Sequence, residues 1–516
     1  MSETLVSLTI EGRPVSVPAG TSILEAAKTA GIMIPHYCYH PGLPVAGVCR
    51  MCLVEVEKAP KLAPGCATAV AEGQVVHVFS DKALEARKGV LEMLLLNHPL
   101  DCPICDQAGE CELQDYTFQE GRADSRYREA KRFNPVEDFG GDVLYTPNRC
   151  ILCTRCVRFM DDIHHQPVLN VSERGDRAYI GRATDAGLTQ PWAGNVVDLC
   201  PVGALLSKDF LNKARAWELD RTASVCTGCS QGCNVTLELR DDQVVRIRPR
   251  GNAAVNKFFM CDHGRLTYGW MNRKDRLEEP MSGGAPVDWD AALEAAARKL
   301  EGKHAYVVAS ASLSNEALYL LKRLVAGTGG TGHFRVEQGA EAPLPGVPDL
   351  ALRADRAANG AGAELLGFTR SENPLAGIKR GDVLVVVDDE LRGLSSDALR
   401  NADAVIVIGT AMPAGVAAPD VVLPIANIAE DEGSLTNLRG RVQRYLQAKA
   451  APGLARPVWL AVQGLLNAVG DTAAFPSAGA VFDAMTAAEK PFAGLSYDAL
   501  ALTGVEVAGA HARAAA

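Results

Sequence analysis

NRCILCTRCVRF (148–159) carries Cys150, Cys153 and Cys156 at C-x2-C-x2-C spacing. That spacing sets three thiolates on one short loop, as in bacterial ferredoxins, where a Cys-Pro completes the set. Here the Cys-Pro is Cys200-Pro201, far downstream. A two-cluster ferredoxin repeats the run and this chain does not, so one [4Fe–4S] centre is expected. Arg155 and Arg158 stand beside the ligands, where they either offset cluster charge or form surface salt bridges.

Working outward, all fifteen cysteines precede residue 262, and the other twelve ligands make three further sets. Cys38, Cys49, Cys52 and Cys66 form C-x10-C-x2-C-x13-C. This departs from the plant-type spacing but suits a [2Fe–2S] centre on a loop-rich domain. Zinc is the alternative, although zinc sites more often pair two knuckles. His36 and His40 flank Cys38, and with four cysteines present neither is needed as a ligand. His98, Cys102, Cys105 and Cys111 form H-x3-C-x2-C-x5-C. The triplet lacks a fourth cysteine, so His98 reads as a ligand rather than a packed core histidine. Cys226, Cys229, Cys233 and Cys261 form C-x2-C-x3-C-x27-C, again with zinc as the alternative. Four iron–sulfur sets imply electron movement.

Composition narrows the class. The 516 residues leave room for several domains. Hydrophobic residues are 47% and charged residues 22%, an ordinary globular balance. The net charge of −10 argues against nucleic-acid binding. No apolar run approaches the roughly 20 residues that span a bilayer. MSETLVSLTI lacks the features of a signal peptide, so a cytoplasmic chain with reduced thiols is expected, and metal binding is favoured over a disulfide framework.

LVSLTI, a turn at Gly12-Arg13 and VSV predict a strand pair over 4–18, and the Ser22-x-x-Glu25 capping box predicts a helix from Ile23 to Ala30. Ser80 or Asp81 caps a second helix whose face carries Leu84, Leu91, Leu94, Leu95 and His98, ending at Pro99. From about Met281 cysteine disappears and alanine rises. Tyr306–Ala309, Val383–Val387 and Val405–Ile408 read as buried strands and Glu316–Ala326 as a helix, an α/β pattern with a largely parallel sheet. Residues 341–378 read as loops with one helix, and the tail HARAAA (511–516) as disordered. Gly327-x-Gly329-x-x-Gly332 has the letters of a dinucleotide fingerprint, but it follows a helix and precedes a strand, so it reads as a helix-terminating loop. No Walker A motif and no flavin, NADH or quinone site is evident.

NHPLDCPICDQAGECELQDY (97–116), NRCILCTRCVRF (148–159), VVDLCPVGAL (196–205) and KARAWELDRTASVCTGCSQGCN (213–234) resemble the large iron–sulfur subunit of respiratory complex I (NADH-quinone oxidoreductase), the G-type subunit of bacteria and the 75-kDa subunit of mitochondria. The resemblance covers residues 1 to about 275 and continues more weakly to about 450, where DVVLPIANIAEDEGSLTNLRGRVQ (420–443) is similar to a segment shared with molybdopterin oxidoreductases. It implies an α+β multidomain chain. A [2Fe–2S] ferredoxin-like (β-grasp) domain (1–79) would be followed by a [4Fe–4S] domain with one histidine and three cysteine ligands (80–120), a [4Fe–4S] ferredoxin-like domain (121–218), a molybdopterin-oxidoreductase-type [4Fe–4S] domain (219–275) and a truncated α/β molybdopterin-oxidoreductase-like domain (276–516).

The resemblance also implies one [2Fe–2S] cluster on the first set and a [4Fe–4S] cluster on each of the other three, the fourth lying off the main route. Electrons would pass from a flavin- and NADH-binding partner toward quinone-reducing subunits. The chain would be peripheral on the cytoplasmic side of the bacterial inner membrane, held by partners and not inserted in the lipid. No cysteine follows residue 261, and His263 stands where molybdenum enzymes often carry lysine, so no molybdopterin and no independent catalytic site are expected. The alternatives are a wiring subunit of an NAD-linked formate dehydrogenase or hydrogenase, and a cluster-stabilised structural subunit.

Overall fold

Alternation in the first residues produces a hairpin. In the computed structural model, which describes residues 4–183, 185 and 187–507, β1 (Leu5–Ile10) pairs antiparallel with β2 (Arg13–Pro18) in the register Leu5↔Pro18 to Ile10↔Arg13. Glu11 and Gly12 both take positive φ, 49° and 73°, the turn that matches strand twist. Ser22 then caps α1 (Ile23–Thr29) by accepting from Glu25 N at 3.2 Å. With β3 (Leu53–Val56), β4 (Ala63–Pro64) and β5 (Val75–His77) the sheet order is β2-β1-β5-β3-β4, with β5 parallel to β1. Ile10, Ile23, Ala26, Ala27, Val54 and Val76 fill the core between sheet and helix. This is the expected β-grasp arrangement.

Ser80 caps α2 (Asp81–Leu95), accepting from Ala83 N. Of the expected face Leu91 is buried while Leu84, Leu94 and Leu95 are half-buried, and Ala83 and Arg87 on the same side are buried with it. The Arg87 guanidinium is covered, paired with Glu120 Oε1 at 2.7 Å and donating to Val78 O, where α2 packs against α3 (Glu112–Glu120). The helix stops at Leu95, so His98 lies three residues beyond it. Further on, α4 (Arg155–Arg158) runs directly into a π-helical turn, Phe159–Ile163.

The chain divides into two compact units at Leu219/Asp220, with Leu344–Pro348 belonging to the first. The second unit begins with the antiparallel sheet β6 (Asp220–Val225), β7 (Asn234–Arg240) and β8 (Gln243–Pro249). Beyond it, α5 (Trp289–Leu300), β9 (Ala305–Ser310), α6 (Asn315–Thr328), β10 (Thr331–Arg335), β11 (Val383–Val387), β12 (Ala404–Gly409) and β13 (Val421–Pro424) build an α/β layer structure. Its eight-stranded sheet has 285–286 and 281–282 as antiparallel edges, followed by β13-β12-β11-β9-β10 and 369–370, all parallel. Val383, Val385 and Val387 face one core and Leu384 and Val386 the other, so β11 is apolar at every position.

Segment 341–378 contains one helix, Gly360–Leu365, among short strands. Gly329 ends α6 at φ 61°, a left-handed cap that confirms the glycine motif as a helix stop. The tail at 511–516 lies outside the described residues.

Candidate metal centres

The first set sits on the loop between α1 and β3. Cys38, Cys52 and Cys66 are about 1% exposed. Side-chain hydrogen bonds link Cys49 with Cys38, Cys66 with Cys38 and Cys66 with Cys52, and Cys38 N donates to Cys49 Sγ at 3.4 Å. Hydrogen bonds from Cys49 and Cys66 hold Cys38 far below the usual thiol range, and the one from Cys66 brings Cys52 down to about 7. Donating to Cys38 drives Cys49 and Cys66 far up. Arg50 takes φ 59° between two ligands. His36 Nδ1 contacts Ile34 O at 2.8 Å and His40 Nδ1 accepts from Gly42 N at 3.1 Å, so both rings engage their own loop.

In the second set Cys102 is exposed at the start of a 3₁₀ turn, while Cys105 and Cys111 are buried and Cys111 precedes α3. Burial pushes Cys111 up to about 12. His98 Nδ1 is buried without a hydrogen-bond partner, and burial together with Lys131 and Arg149 holds the imidazole down to about 4. A neutral ring with a free buried nitrogen is the state in which histidine ligates. Arg215 donates to Cys105 O at 3.0 Å and Cys102 O at 2.9 Å. A Cβ on Gly203 would lie 2.3 Å from Cys105 Sγ, so the Cys-Pro loop approaches this thiol as only glycine permits.

The third set is drawn together most plainly. Cys150, Cys153, Cys156 and Cys200 line one pocket with Tyr145, Ile180, Val202 and Leu205. Leu152 and Thr154 take φ 53° and 61°, and Leu152 N donates to Cys150 Sγ at 3.4 Å. Burial pushes Cys150 up to about 11 and Cys153 up to about 12, and raises Cys156 and Cys200 as well. Arg155 is 4% exposed, which removes the surface-salt-bridge reading for it. It donates to Tyr39 O at 2.7 Å and Leu199 O at 3.2 Å and pairs with Glu112 at 3.3 Å, so it reaches a neighbour of a cysteine from each of the first three sets.

In the fourth set Cys226 follows β6, Cys229 and Cys233 precede β7, and Cys261 precedes the short helix Asp262–Leu266. Burial and the neighbouring thiols push Cys226 and Cys233 well up and Cys261 up to about 12. Gly228 N and Gly264 N donate to Cys226 Sγ and Cys261 Sγ at 3.5 and 3.4 Å. A Cβ on Gly264 would lie 2.7 Å from Cys226 Sγ. The loop carbonyls are held by carboxamides: Gln443 Nε2 reaches Gly232 O at 2.8 Å and Asn437 Nδ2 reaches Gln231 O at 3.2 Å. His263 and Cys226 line a pocket with Trp270, Glu337 and Arg356.

All fifteen cysteines are free. Among the described residues no three His, Cys, Asp or Glu side chains close on a point as they would around a single ion. Buried thiols that raise one another are unfavourable as thiolates until a cationic core sits among them. The donor chemistry, the orphaned His98 nitrogen and the thiol-lined cavity of the third set fit iron–sulfur clusters. Sequence reasoning missed Gly203, Gly264, Arg215 and Gln443. All four sit inside or beside stretches already noticed, Gln443 as the last residue of 420–443, but nothing in those stretches singles them out.

Ferredoxin-type modules joined to a molybdopterin-oxidoreductase-type half define a modular iron–sulfur protein. Models of known families match in that order: the 2Fe-2S iron-sulfur cluster binding domain (3–80), the NADH-ubiquinone oxidoreductase-G iron-sulfur binding region (87–126), the ferredoxin-like domain of NADH-quinone oxidoreductase subunit 3 (140–206), the molybdopterin oxidoreductase Fe4S4 domain (219–273) and molybdopterin oxidoreductase (392–468).

The G-type subunit of NADH-quinone oxidoreductase from Rickettsia bellii is 41% identical over 341 residues, 65% of this chain and 50% of that one. The mitochondrial NADH-ubiquinone oxidoreductase 78 kDa subunit of Candida albicans is 42% identical over 331 residues, 62% of this chain and 46% of that one. The chain is thus similar to the G-type, or 78 kDa, subunits of NADH-quinone oxidoreductases, and it spans about half the length of the curated relatives it matches. A solved chain of NAD+-reducing [NiFe]-hydrogenase in the H2-reduced state is 29% identical, over 40% of this chain and 90% of that chain, at a TM-score of 0.37. Among the described residues no helix is long and apolar enough to cross a membrane.

Proposed function

We propose that the chain is an electron-relay subunit of an NADH:quinone oxidoreductase, taking electrons from a flavin- and NADH-binding partner and passing them toward quinone-reducing subunits. The observation that carries this is the third set, whose four free thiols line one pocket, beside free thiols at every cysteine of the other three sets. Iron–sulfur clusters supply one-electron carriage when bound. Cys38, Cys49, Cys52 and Cys66 would hold a [2Fe–2S] centre. His98 with Cys102, Cys105 and Cys111 would hold a [4Fe–4S] centre through the His98 nitrogen that is otherwise orphaned. Cys150, Cys153, Cys156 and Cys200 would hold a second [4Fe–4S] centre, and Cys226, Cys229, Cys233 and Cys261 a third.

The chain's own work is to bury these ligands, fix their loops and exclude water. Within this reading the domains run 1–79, 80–120, 121–218, 219–275 and 276–516. The last holds no molybdopterin, and no independent catalytic site is present. The subunit sits at the cytoplasmic face of the bacterial inner membrane, held by peripheral-arm partners. An anaerobic preparation should contain about 14 iron atoms per chain, the sum for one [2Fe–2S] and three [4Fe–4S] centres, with a matching amount of sulfide. Redox-titrated electron paramagnetic resonance should show several centres reducible near the potential of NADH. A colourless or zinc-only preparation overturns the proposal.

A further inference from the structure

Arg158 closes α4 at the point where the chain passes into the π turn Phe159–Ile163, an irregularity that concentrates at functional sites. Its Nη2 donates both to Cys38 O and to Cys153 O, the latter at 3.3 Å. Cys38 belongs to the first ligand set and Cys153 to the third. Nη1 donates to Pro44 O, on the loop between Cys38 and Cys49, and Nε lies 3.3 Å from Thr154 Oγ1. One guanidinium thus ties the backbone of two ligand loops that are more than a hundred residues apart in sequence. These acceptors are neutral oxygens, and the Asp162 carboxylate acts on the guanidinium through its charge. Arg155, one turn earlier, is in contact with the Glu112 carboxylate at 3.3 Å, which offsets its charge.

We propose that Arg158 is a positioning residue shared by the first and third centres, fixing the spacing of their loops and raising both reduction potentials with one cation. The proposal rests on the cluster assignment above. Adding an electron makes each centre more negative, so a fixed positive charge between two centres favours the reduced form of both. The planar fork matters as well as the charge, because lysine offers a point charge without the geometry to bridge three carbonyls.

The test is a redox titration of the full, anaerobically prepared chain followed by electron paramagnetic resonance, with Arg158→Met, Arg158→Gln and Arg158→Lys beside the wild type. In Arg158→Met and Arg158→Gln the first and third centres should both become harder to reduce, by about tenfold in the reduction equilibrium, or about 59 mV for a one-electron centre. The second and fourth should stay in place. Arg158→Lys should recover most of that shift while broadening the signals of the same two centres. A shift in one centre only, in all four, or in none overturns the proposal.

Should the neutral variants lose iron, loss confined to the first and third centres supports the shared role, and loss from every set refutes it. A wild type that lacks the centres altogether defeats the relay reading instead, so the two failures are distinguishable.

Discussion

The two units hold their cysteine loops in different ways. In the first, guanidinium groups grip the loop carbonyls: Arg215 at Cys102 O and Cys105 O, Arg155 at Tyr39 O and Leu199 O, Arg158 at Cys38 O and Cys153 O. In the second, amides do the same work. Gln443 and Asn437 hold Gly232 O and Gln231 O, and Asn234 Nδ2 donates to Gln443 Oε1 at 3.0 Å. Both devices satisfy backbone oxygens in a crowded loop, but only the arginines add a net charge whose field extends beyond the hydrogen bond. Loop clamping is therefore common to both units, and the clamps of the first are the charged ones.

The strongest way to break this comparison is to crowd one thiol in each unit. Gly203→Val places carbon where Cys105 Sγ stands, and Gly264→Val does the same at Cys226 Sγ. Each should abolish one centre, the second and the fourth respectively, leaving the other three in the resonance spectrum. If both variants keep all four signals, the close approaches carry no weight.

A stability effect of about 3 kcal/mol follows from the pH response of the second unit. Glu316 is wholly buried, and burial pushes its carboxyl up to about 7, against the ordinary carboxylate value in the unfolded chain, while Ser434 N and Oγ donate to it at 2.9 and 2.7 Å. A carboxyl with a raised folded pKa binds more protons folded than unfolded, so its contribution is complete below about 4.5 and lost as pH rises to about 7. Hydrogen exchange in β11 should quicken over that window, and Glu316→Gln should flatten the slope. An unchanged slope in the variant would assign the effect elsewhere, with buried Asp431, also pushed up to about 7, the next group to replace.

Replacing Gln443 by Leu should cost about 1–3 kcal/mol by leaving Gly232 O unpaired, with little movement of any midpoint. Arg215→Gln should instead lower the midpoint of the second centre and cost less stability. Equal midpoint shifts from the two would erase the distinction between charged and neutral clamps. The smallest expected change is His98→Cys. An added thiolate charge should lower the second midpoint and leave the others still, and a spectrum with no movement would remove His98 from the ligand set.

Cysteine spacing made the cluster loops legible, because ligand geometry limits how thiols can be spread along a chain. The hairpin over 4–18, both capped helices and the three buried parallel strands were legible too, since alternation, capping and unbroken apolar runs are local signals. The packing face of α2 was legible only in part: Leu91 is buried as the leucine spacing implies, but the buried Arg87 on the same side, with its partner Glu120, gave no sign of itself. Nor were the clamps legible. Gln443 acts on Gly232 and Arg158 on Cys38 across long stretches of chain, and one sequence offers no sign of such partners.

The long interval between Cys156 and Cys200 has a consequence for biosynthesis. A growing chain exposes three thiols of that set well before the fourth leaves the ribosome, whereas Cys38 to Cys66 and His98 to Cys111 emerge as compact stretches. On the proposed assignment the two earlier sites would be complete first, and the third would wait for its distant closing residue.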